Sequence, residues 1–159
     1  MKSIMLSISP QWVALILNGA IQHLGRMKFP KDYVGWVYIY CTKGKLYLYK
    51  DYDTELTNNK VFVSFDKPLL GEEQYLGGKV VGRFWCRRVE PYKEKERVHF
   101  YNLRFGQREI FDKPRNLNSF YKPGSSEHKD EYDSNKFRDL FAIKKAPANY
   151  CYVEELEEK

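Results

Sequence analysis

The stretch SIMLSISPQWVALILNG, residues 3–19, carries the clearest structural signal in the chain, a strand followed directly by a helix. Residues 2–8 alternate and are rich in Ile, Met and Leu, which is typical of a strand. Ser9 suits the N-cap of the helix, Pro10 its first position and Gly19 a left-handed C-cap. The apolar residues of the helix cover most of its circumference and predict burial on several sides: Trp12, Val13, Leu15, Ile16 and Leu17.

Short strands dominate the rest of the chain. The strongest candidate, VGWVYIYC at residues 34–41, is β-branched and aromatic, and a Lys-Gly-Lys turn follows it. Gly82 lies inside a further strand pattern and predicts a bulge or a close backbone approach. The other strand candidates are residues 45–50, 61–65, 79–89, 97–105 and 150–156.

The region after residue 105 is expected to contain fewer strands. Asp112-Lys113-Pro114 predicts a break, and residues 115–121 predict one or two helical turns. Residues 123–134 are polar and predict an exposed, mobile loop. The whole pattern indicates one domain over residues 1–159, α+β but mainly β, with a helix packed across the sheet. Regular βαβ alternation is missing, which argues against a doubly wound fold.

Composition places the chain among globular proteins. It has 159 residues, 43% of them apolar and 30% charged, which excludes wholesale disorder. No apolar run is long enough for a transmembrane helix, and the first residues do not read as a signal peptide. Three scattered cysteines, with no CxxC pair, favour a reducing cytoplasm over a disulfide scaffold or a structural zinc site.

Aromatic residues and positive charge occur together. Aromatic residues make up 16% of the chain and the net charge is +6. Residues 79–122 hold twelve Lys or Arg against five Asp or Glu. One interpretation is a nucleic-acid surface, where cations neutralise phosphates and rings stack on bases. The other is a Tyr- and Phe-rich β core whose strand edges are kept soluble by basic residues.

Catalytic and cofactor motifs are not found. The sequence has no GxxxxGK[ST], GxGxxG, HExxH or GxSxG pattern. His23, His99 and His128 are isolated, so neither a metal site nor a cofactor is expected. The cysteines lie in apolar strands, where a packed thiol is more common than a reactive one.

Several blocks of the sequence together resemble the ASCH domain of the PUA-like superfamily. The resemblance rests on residues 3–19, Arg26, Pro30, VYIYCTKGK, GKVVGRF, EIFDKPRNLNSFY and KKAPANYCYVEEL. The last two blocks resemble small ASCH proteins of Firmicutes and their phages. The family implies a small β-barrel with helices at its rim. It also implies a cleft beside the helix-to-strand turn, suited to RNA, a nucleoside or another nucleic-acid ligand.

The family's GxKxxE signature is incomplete here. Gly19 matches, but Ile21 stands at the Lys position and Leu24 at the Glu position. Some ASCH members hydrolyse acylated cytidine with a Lys, a hydroxyl and a carboxylate, and apolar side chains cannot do that acid–base work. The resemblance therefore implies the fold without the activity, and no catalytic residue is assigned. Glu90 could match the remaining carboxylate, or could pair with Arg87 or Arg88.

Nine residues are candidates for nucleic-acid binding. Arg26 matches a basic family position and suits a phosphate, although a surface ion pair is an equal alternative. Tyr150 stands where relatives usually carry Trp, and could stack on a base or pack in the core. The other candidates are Gln22 and His23 in the degenerate turn, Lys43 and Lys45 beside Gly44, and Arg83, Arg87 and Arg88 on the basic strand.

These observations lead to one main hypothesis and two alternatives. The main one is a noncatalytic module that binds RNA or another nucleic acid in a bacterial cytoplasm. The first alternative is a phage counter-defence inhibitor that binds a host protein or a nucleic-acid-guided nuclease. The second is a divergent nucleoside amidohydrolase, which the missing signature residues disfavour.

Overall fold

The computed structural model describes residues 2–52, 59–64 and 73–155. These residues form nine strands, two α-helices and two short 3-10 helices. The strands are β1 (Ser3–Ile8), β2 (His23–Arg26), β3 (Gly35–Cys41), β4 (Tyr47–Tyr52), β5 (Asn59–Ser64), β6 (Glu73–Tyr75), β7 (Lys79–Glu94), β8 (Arg97–Arg115) and β9 (Tyr150–Val153). The helices are α1 (Pro10–Leu17), α2 (Ser134–Phe141) and the 3-10 turns Leu117–Ser119 and Ser125–His128.

The fold is mostly β and is built on a mixed sheet. Six strands lie in the order β2-β8-β7-β3-β1-β9. The β1–β3 pair is parallel, with α1 in the connection between them, and the other neighbours are antiparallel. A second, three-stranded sheet has the order β5-β4-β6. The strand predicted at residues 61–65 corresponds to β5, while Phe65 lies outside the described residues.

The six-stranded sheet curls strongly but does not close. Three strands separate β2 from β1, yet Ile8 at the end of β1 and Leu24 on β2 line the same cleft. A flat sheet would hold β1 and β2 about four strand spacings apart, or about 19 Å. Within the described residues, however, β2 and β9 do not pair with each other. The sheet is therefore not closed into a barrel, and the predicted β-barrel is wrong in this respect.

Both faces of the sheet are covered. Side chains alternate along β1, so that Ile4 and Leu6 face α1 while Met5 faces the C-terminal segment. The α1 side also buries Val37, Ile39, Phe84, Leu103 and Phe105. The opposite side buries Tyr38, Val80, Phe111, Phe120, Ile143 and Val153.

Helix α1 begins and ends where the sequence predicts. Ser9 has extended N-cap dihedrals ahead of Pro10, and Gly19 takes a left-handed φ of +78° after the helix. Its burial is narrower than predicted. Val13, Ala14, Ile16 and Leu17 are buried. Trp12 is 46% exposed and Leu15 38% exposed, because only one side of α1 faces the sheet.

The β7–β8 hairpin is longer than the sequence predicts. A Cβ on Gly82 would lie 2.5 Å from the carbonyl oxygen of Glu109, which confirms the predicted close approach at a register shift. Strand β8 continues to Arg115, opposite Val80, but its pairing is interrupted at the predicted break, because the pairs Gly82↔Ile110 and Val80↔Arg115 leave residues 111–114 without a partner on β7. Pro114 is tolerated there because β2 pairs only with residues 101–104, which leaves this part of β8 at a sheet edge.

The C-terminal segment forms other elements than predicted. The helical turns expected at residues 115–121 are reduced to the 3-10 turn Leu117–Ser119. The late helix is α2, whose N-cap Asp133 accepts a hydrogen bond from the backbone N–H of Lys136 at 2.9 Å. The segment 123–134, predicted to be a mobile loop, is largely exposed and contains the second 3-10 turn; its mobility stays a prediction.

Candidate nucleic-acid interface

A cleft of about 560 Å³ opens between the start of α1 and the edge strand β2. Its position follows from the curl of the sheet, which brings the end of β1 and the first turn of α1 towards β2. The cleft is lined by Ile8, Ser9, Trp12, Leu24, Gly25, Arg26, Met27 and Phe100. The lining is apolar apart from Ser9 and a single charged side chain, that of Arg26.

Arg26 has an unusual environment for an arginine. It is half-buried, and this burial lowers its pKa from the ordinary arginine value. Within the parts of the chain that the structure describes, no hydrogen bond or ion pair reaches its guanidinium. Removing a cation from water without a partner costs free energy. The cleft therefore holds a cation whose donors are free to bind an anionic ligand.

The walls beside Arg26 are aromatic and apolar. Trp12 is 46% exposed and Met27 80% exposed, so both present apolar surface to solvent at the cleft. The Phe100 ring lies over Gly25, 3.3 Å from where a Cβ would stand. A larger residue at position 25 would displace that ring. Trp12 and Phe100 are therefore candidates for stacking on a planar group near Arg26.

A cluster of charged residues lies on the neighbouring strands. Glu90 pairs with Arg88 at 2.7 Å and with Arg104 at 3.0 Å, and Arg104 reaches Nδ1 of His23 at 3.4 Å. The hydrogen bond from Arg104 lowers the pKa of the Glu90 carboxyl, and the charges of Arg104, Arg88 and Arg87 lower it further. The alternative in which Glu90 pairs with a neighbouring arginine is confirmed.

Arg83 is surrounded by partners. Its guanidinium pairs with Glu109 at 2.9 Å and donates to the hydroxyl of Tyr38 at 3.4 Å. It also lies 3.8 Å from the centre of the Trp36 ring. These contacts occupy the donors and one face of the guanidinium. The structure therefore gives Arg83 a structural role, in contrast to its predicted place among the phosphate-binding residues.

The remaining predicted residues are spread over the surface. Lys43 and Lys45 are exposed, and the turn between them packs on Pro10, since a Cβ on Gly44 would lie 2.7 Å from its ring. Gln22 and Arg87 are exposed. Tyr150 packs on Phe29 with ring centres 5.8 Å apart and is not among the described residues that line the cleft.

Among the described residues that line the cleft, none is a Cys, His, Lys, Asp or Glu. Ile21 packs against the core, and Leu24 is buried. Burial raises the pKa of Cys41 to about 12 and that of Cys86 to about 11, and also raises that of Cys151. These thiols stay protonated near neutral pH and are poor nucleophiles. Among the described residues, no group of three His, Cys, Asp or Glu side chains could hold a metal ion.

Sequence reasoning found Arg26 but missed its neighbours. Trp12 was assigned to a buried helix, and Phe100 to a strand far away in the sequence. The available signal was the position of Trp12 in the first turn of α1, close to the end of β1. Phe100 had no local signal, because only the pairing of β2 with β8 brings it to Gly25.

The chain matches no family model, no curated protein and no solved structure. Neither of the described α-helices has the length and hydrophobicity needed to cross a bilayer.

Proposed function

We propose that this chain is a noncatalytic RNA-binding module of the ASCH type, in which Arg26 binds a backbone phosphate in the cleft. The observation that carries the proposal is a half-buried guanidinium with no protein partner in the described residues, beside exposed aromatic rings. Arginine binds phosphate through parallel N–H donors, and aromatic rings accept bases by stacking. The volume of about 560 Å³ lies within the range of small-ligand sites.

A PUA-like fold is part of this proposal. The mixed, strongly curled sheet and the helix directly after the first strand support it. The cleft includes Leu24, Gly25 and Arg26, which end the stretch from Leu17 to Arg26 beside which the resemblance to ASCH domains implies a ligand, and its other wall is the first turn of α1. The open gap between β2 and β9 distinguishes this sheet from the closed barrel that the resemblance implies.

The side chains around the cleft favour binding over hydrolysis. A general acid or base works best when its pKa lies near the working pH. The carboxyl of Glu90, on strand β7, has its pKa lowered by Arg104 and is already paired. Ile21 and Leu24 supply no titratable group at the signature positions. These two positions therefore favour binding over hydrolysis.

The direct test is binding of a fluorescently labelled RNA, followed by anisotropy over about 50 to 200 mM salt. Wild-type affinity should fall steeply with salt. Arg26→Ala should weaken binding about tenfold or more and flatten the plot of log K against log salt by about 0.7. Arg138→Ala is the matched control, because this exposed arginine of α2 does not line the cleft and its loss changes the net charge equally.

Three results would contradict the proposal. They are no binding to RNAs of varied sequence, binding that is independent of salt, and equal losses in Arg26→Ala and Arg138→Ala. Co-purification with a stoichiometric protein that survives nuclease treatment would instead favour the inhibitor hypothesis. Hydrolysis of acylated cytidine that Glu90→Gln abolishes would favour the amidohydrolase.

A further inference from the structure

The β7–β8 hairpin extends beyond the rest of the sheet as a two-stranded ribbon. Towards the hairpin turn, the pairing of β8 with β2 ends at Tyr101, which lies opposite Arg26. Beyond it, β7 and β8 continue to pair with each other alone, from Tyr92↔Phe100 to Glu94↔Arg97. Lys95 and Glu96 close the hairpin with φ values of 51° and 63°, as a two-residue turn of the I′ type requires.

One side of this hairpin faces the core and the other faces outward. Val89 and its partner Leu103 pack against the core on the α1 side. Side chains alternate along a strand, so the flanking cross-strand pairs point the other way. We call this surface the outer face: Arg88 with Arg104, Glu90 with Asn102, and Tyr92 with Phe100.

Two rings on the outer face lie nearly parallel, and one of them, Tyr92, is exposed to solvent. Tyr92 stacks on Phe100 with ring centres 4.8 Å apart and an angle of 12° between the planes. Phe100 rests over Gly25, and Tyr92 is 49% exposed. The other face of the Tyr92 ring is not covered by Phe100. A supported, exposed ring is suited to stacking on a base.

Positive charge surrounds these rings. Residues 87–104 contain six Lys or Arg and three Glu. Glu90 lies between Arg88 and Arg104 and holds both guanidinium groups on the outer face. Each guanidinium has five N–H donors, so the pairing with one carboxylate leaves further donors for phosphates. The ordered arginines lose less side-chain entropy on binding than mobile ones would.

Phe100 connects the outer face to the cleft. It lines the cleft with Arg26 and also supports Tyr92. We infer that a single RNA strand leaves the cleft past Phe100 and continues along the outer face, stacking a base on Tyr92 and placing phosphates near Arg88 and Arg104. This inference rests on the proposed function and narrows its ligand to unpaired RNA of several nucleotides. A duplex would hide the base faces that Tyr92 needs.

The inference is tested with ligands of increasing length. Wild-type protein, Tyr92→Ala and Tyr92→Phe are titrated with uridine 5′-monophosphate, with single-stranded RNAs of about 3 to 10 nucleotides, and with an RNA duplex. Tyr92 is exposed at the ribbon, so its replacement should not disturb the core. Tyr92→Phe is the matched control, because it keeps the ring and removes only the hydroxyl.

Tyr92→Ala should weaken binding of the longer single strands about fivefold or more and leave mononucleotide binding unchanged. Tyr92→Phe should bind like the wild type, and the duplex should bind more weakly than the single strand. The inference is overturned if Tyr92→Ala binds the longer strands like the wild type, if it loses mononucleotide affinity equally, or if the duplex binds as tightly. In those cases the proposed function would still be supported if Arg26→Ala weakens RNA binding. If Arg26→Ala binds RNA like the wild type, both the proposed function and this inference are overturned.

Discussion

Arg26 and Arg83 are both half-buried arginines, yet their surroundings differ completely. Arg83 pairs with Glu109, contacts the Tyr38 hydroxyl and lies against a tryptophan ring. Arg26 has none of these partners among the described residues and lies in a cleft. The first arrangement stabilises the fold. The second costs stability unless a ligand supplies the missing anion.

The comparison shows that basic residues in a sequence fall into two classes which charge alone cannot separate. The charge surplus of residues 79–122 includes Arg83, although its guanidinium is neutralised from within the protein. Arg26 belongs to a part of the chain with little excess charge, yet it has the environment of a binding residue. Every guanidinium nitrogen of Arg83 has a partner, whereas Arg26 has none among the described residues. Arg88 and Arg104 lie between these extremes, because they share one carboxylate, that of Glu90.

The largest effect should be on stability, with opposite outcomes at the two sites. Arg83→Gln loses an ion pair, a hydrogen bond and a ring contact, so its free energy of unfolding should fall by about 1–2 kcal/mol. Arg26→Gln removes a cation without a partner, so its stability should stay equal or rise by about 0.5 kcal/mol. Urea denaturation of both variants measures this. An equal loss in both would mean that Arg26 has a structural role.

Ligand binding should separate Arg26 from Arg83 as well, through the stability that the ligand adds. Uridine 5′-monophosphate at about ten times its Kd should add about 1.4 kcal/mol of stability, because it binds only the folded state. For a domain of this size the melting temperature should then rise by about 3–5 °C. Arg83→Gln should keep this rise and Arg26→Gln should lose it. A rise in both variants would place the anion site elsewhere.

The sequence predicted the elements whose pattern is local. The stretch 3–19 and the strand at 34–41 have strong periodicity and clear end signals, and both form as expected. Strand β2 has four residues and one buried side chain, Leu24, which is too little pattern to detect. Helix α2 was missed because it is mainly polar, with Phe137 as its single buried residue.

The candidate site was less predictable because it depends on tertiary pairing. Arg26 was found through the resemblance to a family, without any local physical signal. Trp12 and Phe100 join it only because the sheet curls and β8 pairs with β2. Arg83 and Glu109 are neighbours only because β7 pairs with β8. The sequence does not show this neighbour, so Arg83 looks like a cation available for binding.

On the Arg83 side of the molecule, alkaline pH should affect stability through Tyr38. Burial, and then the hydrogen bond to Glu155, raise the pKa of Tyr38 to about 12. The folded state therefore holds this proton more tightly than the unfolded state, whose phenol titrates near about 10. The stabilising contribution is complete below about pH 10 and is lost as the pH rises towards about 12.

Between pH 9 and pH 11, the free energy of unfolding of Tyr38→Phe should therefore fall by about 1 kcal/mol less than that of the wild type. Urea denaturation at both pH values measures the difference. Arg26→Gln should follow the wild type over this range. Part of the dependence remains in every variant, because burial also raises the pKa of Tyr33 to about 12. If the free energy of unfolding of Tyr38→Phe depends on pH as steeply as that of the wild type, the Tyr38 phenol does not contribute to the pH dependence.

The smallest effects should come from exposed cations. Lys43→Ala and Arg87→Ala remove charges that remain hydrated in the free protein. Each should weaken RNA binding less than about threefold and flatten the salt dependence by no more than about 0.7. The anisotropy assay measures both against Arg26→Ala. A loss at Lys43 as large as that at Arg26 would shift the main phosphate contact to the turn beside α1.

The pairing of β1 has a consequence for how the chain folds. β1 lies between β3 and β9, with Met5 opposite Tyr38 on one side and Cys151 on the other. The second edge of β1 is therefore covered only when β9, far along the chain, has been made. Contacts so distant along the chain slow folding, because the loop entropy is lost before the contacts form. Until then the apolar β1 presents an open edge, where the partly folded chain is vulnerable to aggregation.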